Sequence, residues 1–215
     1  MDLAHCGRYG QTSCCRDVSV TSDRIQRTSA GSEKSATMSV ESKSQPNAAR
    51  RFPGSIVVMG VSGSGKSSVG EAIAEAYGRP FLEGDALHPS ENIRKMSEGI
   101  PLTDDDRWPW LAAIGEKLAS REPIIVSCSA LKRSYRDKLR ESAPNELAFV
   151  FLCGSEAVLA ERMRHRTGHF MPTSLLQTQL ATLEDPTGEV KTIAVDVAQP
   201  LAEIVRQALA GLARL

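Results

Sequence analysis

The run Gly60-Val61-Ser62-Gly63-Ser64-Gly65-Lys66-Ser67 has the residue types and spacing of a loop that holds a chain of phosphates. Its glycines reach backbone angles closed to other residues, so successive N–H groups can converge on one anion. The run follows the apolar stretch Ile56-Val57-Val58-Met59 and enters Ser68-Val69-Gly70-Glu71-Ala72-Ile73-Ala74, which reads as a helix. The start of that helix adds partial positive charge at the same point. Lys66 is placed to reach the β- and γ-phosphates, and the Ser67 hydroxyl to ligand Mg²⁺. A Gly/Ser-rich turn that binds nothing would need neither the strand before nor the helix after. Residues Gly60 to Ser68 are therefore expected to bind a nucleoside triphosphate.

Other chemistry-bearing residues follow. Asp85, in Glu83-Gly84-Asp85-Ala86-Leu87-His88-Pro89, can accept the proton of a substrate hydroxyl or orient it; a turn or helix cap is the alternative. His88 is open between a substrate contact and a local polar contact. In Thr103-Asp104-Asp105-Asp106-Arg107-Trp108-Pro109-Trp110, the aspartates suit a helix N-terminus, with Thr103 or an aspartate as N-cap and Pro109 in the first turn. Arg107, its stem packed by the two tryptophans, suits a bidentate clamp on a carboxylate, or else pairs with the aspartates.

Farther on stands Ser127-Cys128-Ser129-Ala130-Leu131-Lys132-Arg133-Ser134-Tyr135-Arg136. No aspartate ends this stretch, so Mg²⁺ must rely on Ser67, phosphate oxygens, water, and Glu83 or Asp85. Ser129 and Ala130 can bring backbone donors to a polar substrate. Lys132, Arg133 and Arg136 form either a solvated helix face or an anion site. The basic loop Arg164 to Met171 suits a lid that neutralises a transferring phosphoryl group and excludes water. Arg162 and Arg166, four apart, would share one side of a helix. A merely solubilising loop is the bland alternative.

Strands must present these residues, and the pattern supplies them: Ser55–Met59, Pro80–Glu83, Pro123–Cys128, Leu147–Cys153 and Val190–Val195. Between and after them lie helical patterns at Lys66–Tyr77, Ser90–Met96, Trp108–Ser120, Leu131–Glu141, Ser155–Arg164, Thr173–Leu183 and Leu201–Ala213. Alternation of this kind implies right-handed crossovers and a parallel sheet covered on both faces, with ligands beyond the carboxyl ends of the strands.

The 215 residues divide into a tail, 1–52, and a folded domain, 53–215. The tail is rich in Ser, Thr and Arg without sustained periodicity, and is expected to be disordered. Met38 offers an alternative start; a transit peptide is disfavoured by Asp2, Asp17 and Asp23. Basic and acidic residues number 26 each, which gives no field for nucleic acid or an anionic membrane. No apolar run approaches the roughly 20 residues of a membrane span. Of five cysteines, Cys128 and Cys153 end apolar strands as expected buried thiols, so a cytoplasmic protein without disulfides is the reading.

Assembled, these motifs resemble those of the gluconate kinases, small P-loop kinases related to shikimate and nucleoside monophosphate kinases. The resemblance runs from about Ile56 to Leu201 and is carried by Gly60–Ser67, Gly84-Asp85 with His88-Pro89, Gly99–Arg107, Cys128–Arg136, His169-Phe170-Met171 and Leu183-Glu184-Asp185-Pro186. It implies a three-layer α/β sandwich with a five-stranded parallel sheet and a lid, and transfer of the ATP γ-phosphoryl to the terminal hydroxyl of D-gluconate. It implies Asp85 as substrate-orienting aspartate, Arg107 as substrate clamp, and Arg162 and Arg166 as lid arginines. With Lys66 these carry the catalysis; His88, Ser129, Lys132, Arg133 and His169 join the substrate contacts. Relatives enclose adenine where Asp196-Val197-Ala198-Gln199-Pro200 falls here, which adds Gln199 and Pro200 to the nucleotide site. A shikimate kinase carries Asp-x-Asp and a glycine triplet where this chain has Glu83-Gly84-Asp85 and Cys128-Ser129-Ala130. An ATP-binding module without turnover is the rival from another class. Oligomeric state, a homodimer included, stays open.

Overall fold

The computed structural model describes residues 51–164 and 173–215. The tail through residue 50, Arg166 and His169 lie outside the described residues. The chain's folded unit opens with Phe52, which was expected in the tail but is buried, its N–H donating to the Tyr77 hydroxyl.

Five strands, β1 (Ser55–Met59), β2 (Phe81–Glu83), β3 (Ile125–Cys128), β4 (Leu147–Cys153) and β5 (Thr192–Asp196), form one parallel sheet in the order β2-β3-β1-β4-β5. Register pairs Val57 with Val126 on one side and with Phe149 on the other. Because side chains alternate across a strand, each strand feeds two cores. Ile56 and Val58 pack with Ala148, Val150 and Leu152 against α1 (Lys66–Tyr77) and α7 (Leu201–Leu212). Val57 and Met59 pack with Phe149 and Phe151 against α3 (Asp104–Leu118) and α4 (Arg133–Ser142). The remaining helices are α2 (Ser90–Ser97), α5 (Glu156–Arg164) and α6 (Thr173–Thr182). This is the expected three-layer sandwich. Among the described residues no helix is long and apolar enough to cross a membrane.

Strand order reverses beside β1, so a crevice opens at its carboxyl end, where Gly60 begins the phosphate loop. Among the boundaries that differ from expectation, the starts of α3 and β5 have local reasons. Helix α3 begins at Asp104, not Trp108, because Thr103 and Asp106 form a reciprocal capping box; Pro109 lies in the second turn rather than the first. A single 3₁₀ turn at Gly84–Leu87 follows β2. Strand β5 starts at Thr192, after Lys191 takes a left-handed φ of 52° that ends the preceding turn.

Candidate active site

The phosphate loop joins β1 to α1 with Gly60, Gly63 and Gly65 at φ 146°, 80° and 90°. These are glycine conformations, and packing reinforces the requirement. A Cβ at Gly60 would lie 2.8 Å from the Leu152 carbonyl, and one at Gly63 2.9 Å from the Leu159 carbonyl. Lys66 Nζ donates to the Val61 carbonyl at 3.1 Å, folded back over the loop. The Ser64 hydroxyl is buried without a hydrogen-bond partner, an orphan donor among the converging N–H groups. The donor set fits a polyphosphate. Ser67 and Ser68 follow Lys66 in the first turn of α1, which puts the Ser67 hydroxyl at the helix N-terminus as the candidate Mg²⁺ ligand.

Arg162, at the end of α5, touches both halves of the expected nucleotide site. Its Nη2 donates to the carbonyls of Val197 and Gln199, the latter at 3.2 Å. Its Nη1 stands 3.5 Å from where a Gly65 Cβ would be. The arginine is thus bonded to the segment before α7 and faces the phosphate loop at Gly65. Gln199 is held by Gln207, and Pro200 is the N-cap residue of α7.

The end of β2 is fixed against β3. The Gly84 N–H donates to the Ser127 hydroxyl at 3.1 Å, Ser127 donates to Glu83, and Trp110 Nε1 donates to the Gly84 carbonyl at 2.7 Å. A Cβ on Gly84 would stand 2.0 Å from the Ser127 carbonyl oxygen, so only glycine allows this approach. Glu83 is thereby committed to Ser127, whereas Asp85, the next residue but one, is 63% exposed beyond the strand end.

His88 was an open candidate for substrate contact. Its side chain is 4% exposed and stacks on Trp110 with ring centroids 4.2 Å apart. Asn92 Nδ2 donates to the Asp106 carbonyl at 2.7 Å and lies 3.2 Å from His88 Nδ1. An amide nitrogen only donates, so Nδ1 accepts and the ring proton sits on Nε2, 4.0 Å from Asp85. Burial pushes the imidazole pKa below its ordinary value, outweighing the upward pull of Asp85, and Arg107 lowers it further. This places a neutral histidine behind Asp85, in a supporting position rather than on open substrate surface.

A cavity of about 440 Å³ opens between the starts of α3 and α4 and the helix α6, lined by Leu102, Asp104, Arg107, Lys132, Thr178, Thr182 and Glu184 among others. Arg107 and Lys132 both line it. Arg107 is oriented by the Leu102 carbonyl and lies over Tyr135, 5.8 Å from the ring centroid. Trp110 is buried against His88, and Trp108 is edge-on to Tyr135. Lys132 donates to both Asp104 oxygens at 2.7 Å, and the Tyr135 hydroxyl also donates to Asp104. The lysine and then the tyrosine lower the Asp104 pKa; burial, then Asp104, pushes Tyr135 up to about 12. Asp104 is thus a cavity residue, which its place in an acidic run did not reveal. Asp106 caps the helix and pairs with Lys95 instead.

Of the two readings open for the basic residues of α4, a solvated face or an anion site, Arg133 fits the first and Arg136 neither. Arg133 turns its side chain, 72% exposed, toward Asp137 and does not line the cavity; its backbone N–H donates to the Glu184 carboxylate at 2.6 Å. Arg136 is neither a solvated face nor an anion site. It is fully buried, donating to Glu189 and to the carbonyls of Ala130 and Leu131. That bond set braces the turn after β3, where Ala130 has φ 42° and Ser129 precedes it. Cys128, just before, is buried, and burial pushes its thiol up to about 12.

One contact had no sequence signal. The Ser62 N–H of the phosphate loop donates to Gln179 Oε1 on α6 at 2.7 Å. Thr178, the preceding residue, lines the cavity, so phosphate loop and cavity adjoin across α6.

Comparison with known proteins agrees with this geometry. A family model described as an AAA domain matches residues 56–186. The chain is 46% identical to the thermoresistant gluconokinase of Escherichia coli K12 over 154 residues, 69% of this chain and 87% of that protein. It is 50% identical to the gluconokinase of Gluconobacter oxydans over 148 residues, 66% of this chain and 82% of that one. A solved gluconokinase structure from Sinorhizobium meliloti 1021 is 89% identical and superposes with a TM-score of 0.74, covering 77% of this chain and 94% of the other. A shikimate kinase from Bacteroides thetaiotaomicron, 16% identical with a TM-score of 0.55, shares the fold alone. With identity of this level along most of those proteins' length, the chain belongs to the gluconokinase family of P-loop kinases.

Proposed function

We propose that the protein transfers the γ-phosphoryl group of ATP to the terminal hydroxyl of D-gluconate, giving 6-phosphogluconate and ADP. The observation that carries this reading is the adjacency of the phosphate loop to a cavity with Arg107 and Lys132 on its wall. A substrate with one carboxylate and a row of hydroxyls suits that cavity: Arg107 takes the carboxylate, while Lys132, Thr178, Thr182 and Asp104 offer hydroxyl partners.

Asp85 accepts the hydroxyl proton as the new O–P bond forms and the bond to the departing ADP breaks. His88 stands behind Asp85, with Nε2 4.0 Å from the carboxylate. Lys66 and the loop N–H groups stabilise the phosphate charge, and Arg162 adds a cation beside Gly65. Arg166 and His169 take the lid and substrate roles that the family resemblance implies. Mg²⁺, held by Ser67, would supply charge neutralisation across the β- and γ-phosphates. The test is coupled ADP release from purified protein with ATP and Mg²⁺, offering gluconate beside shikimate and nucleoside monophosphates. Turnover with gluconate alone is expected; turnover with another acceptor and none with gluconate refutes the reading.

A further inference from the structure

Helix α6 has two working faces. Thr178 and Thr182, one turn apart, share the face that lines the cavity. Gln179, about 100° around the helix from Thr178, reaches the phosphate loop instead and accepts from the Ser62 N–H at 2.7 Å. Ser62 is the third residue of Gly60–Ser67, within the stretch whose N–H groups converge on phosphate. A backbone N–H has one proton to donate. It can serve the carboxamide of Gln179 or a phosphate oxygen, and a charged oxygen is the stronger acceptor.

We propose that Gln179 is a positioning residue that makes occupation of the phosphate loop and of the sugar-acid cavity interdependent. This rests on the reading that ATP and gluconate occupy those two sites. While Ser62 donates to Gln179, α6 is tied to the loop, and Thr178 and Thr182 stand where that tie sets them. A triphosphate that takes the Ser62 N–H releases Gln179, and the cavity face of α6 becomes free to settle on the sugar acid. The coupling is worth one net hydrogen bond, a factor of about 2–12 in affinity.

The experiment is calorimetric titration of gluconate into the full-length protein, with and without a non-hydrolysable ATP analogue and Mg²⁺. Wild type should bind gluconate about 2–12-fold more tightly with the analogue present. In Gln179→Leu the nucleotide-free protein should already bind as tightly as wild type does with the analogue, which brings the ratio to about one. Loss of packing alone would weaken gluconate binding in both conditions and leave the ratio unchanged. Gln179→Glu provides a second arm: its carboxylate still accepts from Ser62 but repels phosphate, so nucleotide-free gluconate affinity should stay and analogue affinity should fall. An unchanged ratio in the leucine variant, a wild-type ratio of one, or undiminished analogue affinity in the glutamate variant overturns the proposal. Wild type that does not bind gluconate refutes instead the functional reading beneath it.

Discussion

Replacing Glu189 by alanine tests whether the buried charge cluster behind the cavity holds the site together. Glu189 accepts from Arg136 Nε at 3.0 Å and from Arg140 Nη2 at 2.8 Å, and Arg136 is fully buried. Removing the carboxylate strands a buried guanidinium, a change that costs about 3–5 kcal/mol. The low end applies, because Arg140 and Glu189 are partly exposed and water can reach the vacated side. A loss of about 3 kcal/mol lowers the melting temperature by about 6–12 °C for a domain of this size. Urea unfolding gives the same quantity from the midpoint at constant m. The dependence on pH has a definite sign. Arg136, and then Arg140, hold the Glu189 pKa down to about 2. A depressed carboxyl contributes stability above its unfolded value of about 4.3, and loses it as pH falls toward 2. The gap between wild type and variant should therefore be constant from about pH 5 to 8 and close on acidification below that. A loss under about 1 kcal/mol, the worth of a surface pair, would refute the argument, as would a gap independent of pH down to 2.

Three further outcomes follow from the site. Asp85→Asn should retain ATP binding and lower kcat by about 10²–10⁴-fold, the worth of a positioned general base; near-normal turnover removes Asp85 from the chemistry. Arg107→Ala should raise KM for gluconate about 10–150-fold with little change in KM for ATP, since a charge-assisted contact contributes about 1.5–3 kcal/mol; an unchanged KM for gluconate dismisses the clamp. Cys128, buried with its thiol held at about 12, should resist alkylation in the native enzyme at pH 8 and react on unfolding; rapid native labelling, read by mass spectrometry, contradicts its placement.

The phosphate loop was legible because its chemistry is local: glycines, lysine and serine act within eight consecutive residues. The sheet was legible for a similar reason, since each strand is a short apolar run between turns. Arg136 was not. It lies one residue past Tyr135 on a basic helix, and its charged partner Glu189 is 53 residues away. Asp104 and Asp106 are neighbours in a run of like charges, yet one faces Lys132 in the cavity and the other caps a helix. Helix rotation separates them, and the place where α3 starts sets that rotation. Thr103 was one of the N-caps the sequence offered, and its capping box with Asp106 fixes the start there, which puts Pro109 in the second turn. Gln179 was invisible because its partner lies 117 residues earlier and its own helix carries no charge pattern to mark it.

The most direct test of the account is the site of phosphorylation on the product. Gluconate, ATP and Mg²⁺ would be incubated with the enzyme and the product's phosphorus resonance recorded with proton coupling. Transfer to the terminal hydroxyl predicts a phosphomonoester split by the two protons of one methylene. Splitting by a single methine proton would place the phosphoryl group on a secondary hydroxyl. That result, or the absence of any phosphorylated gluconate, would contradict the claim that this cavity presents the terminal hydroxyl to Asp85 and the phosphate loop.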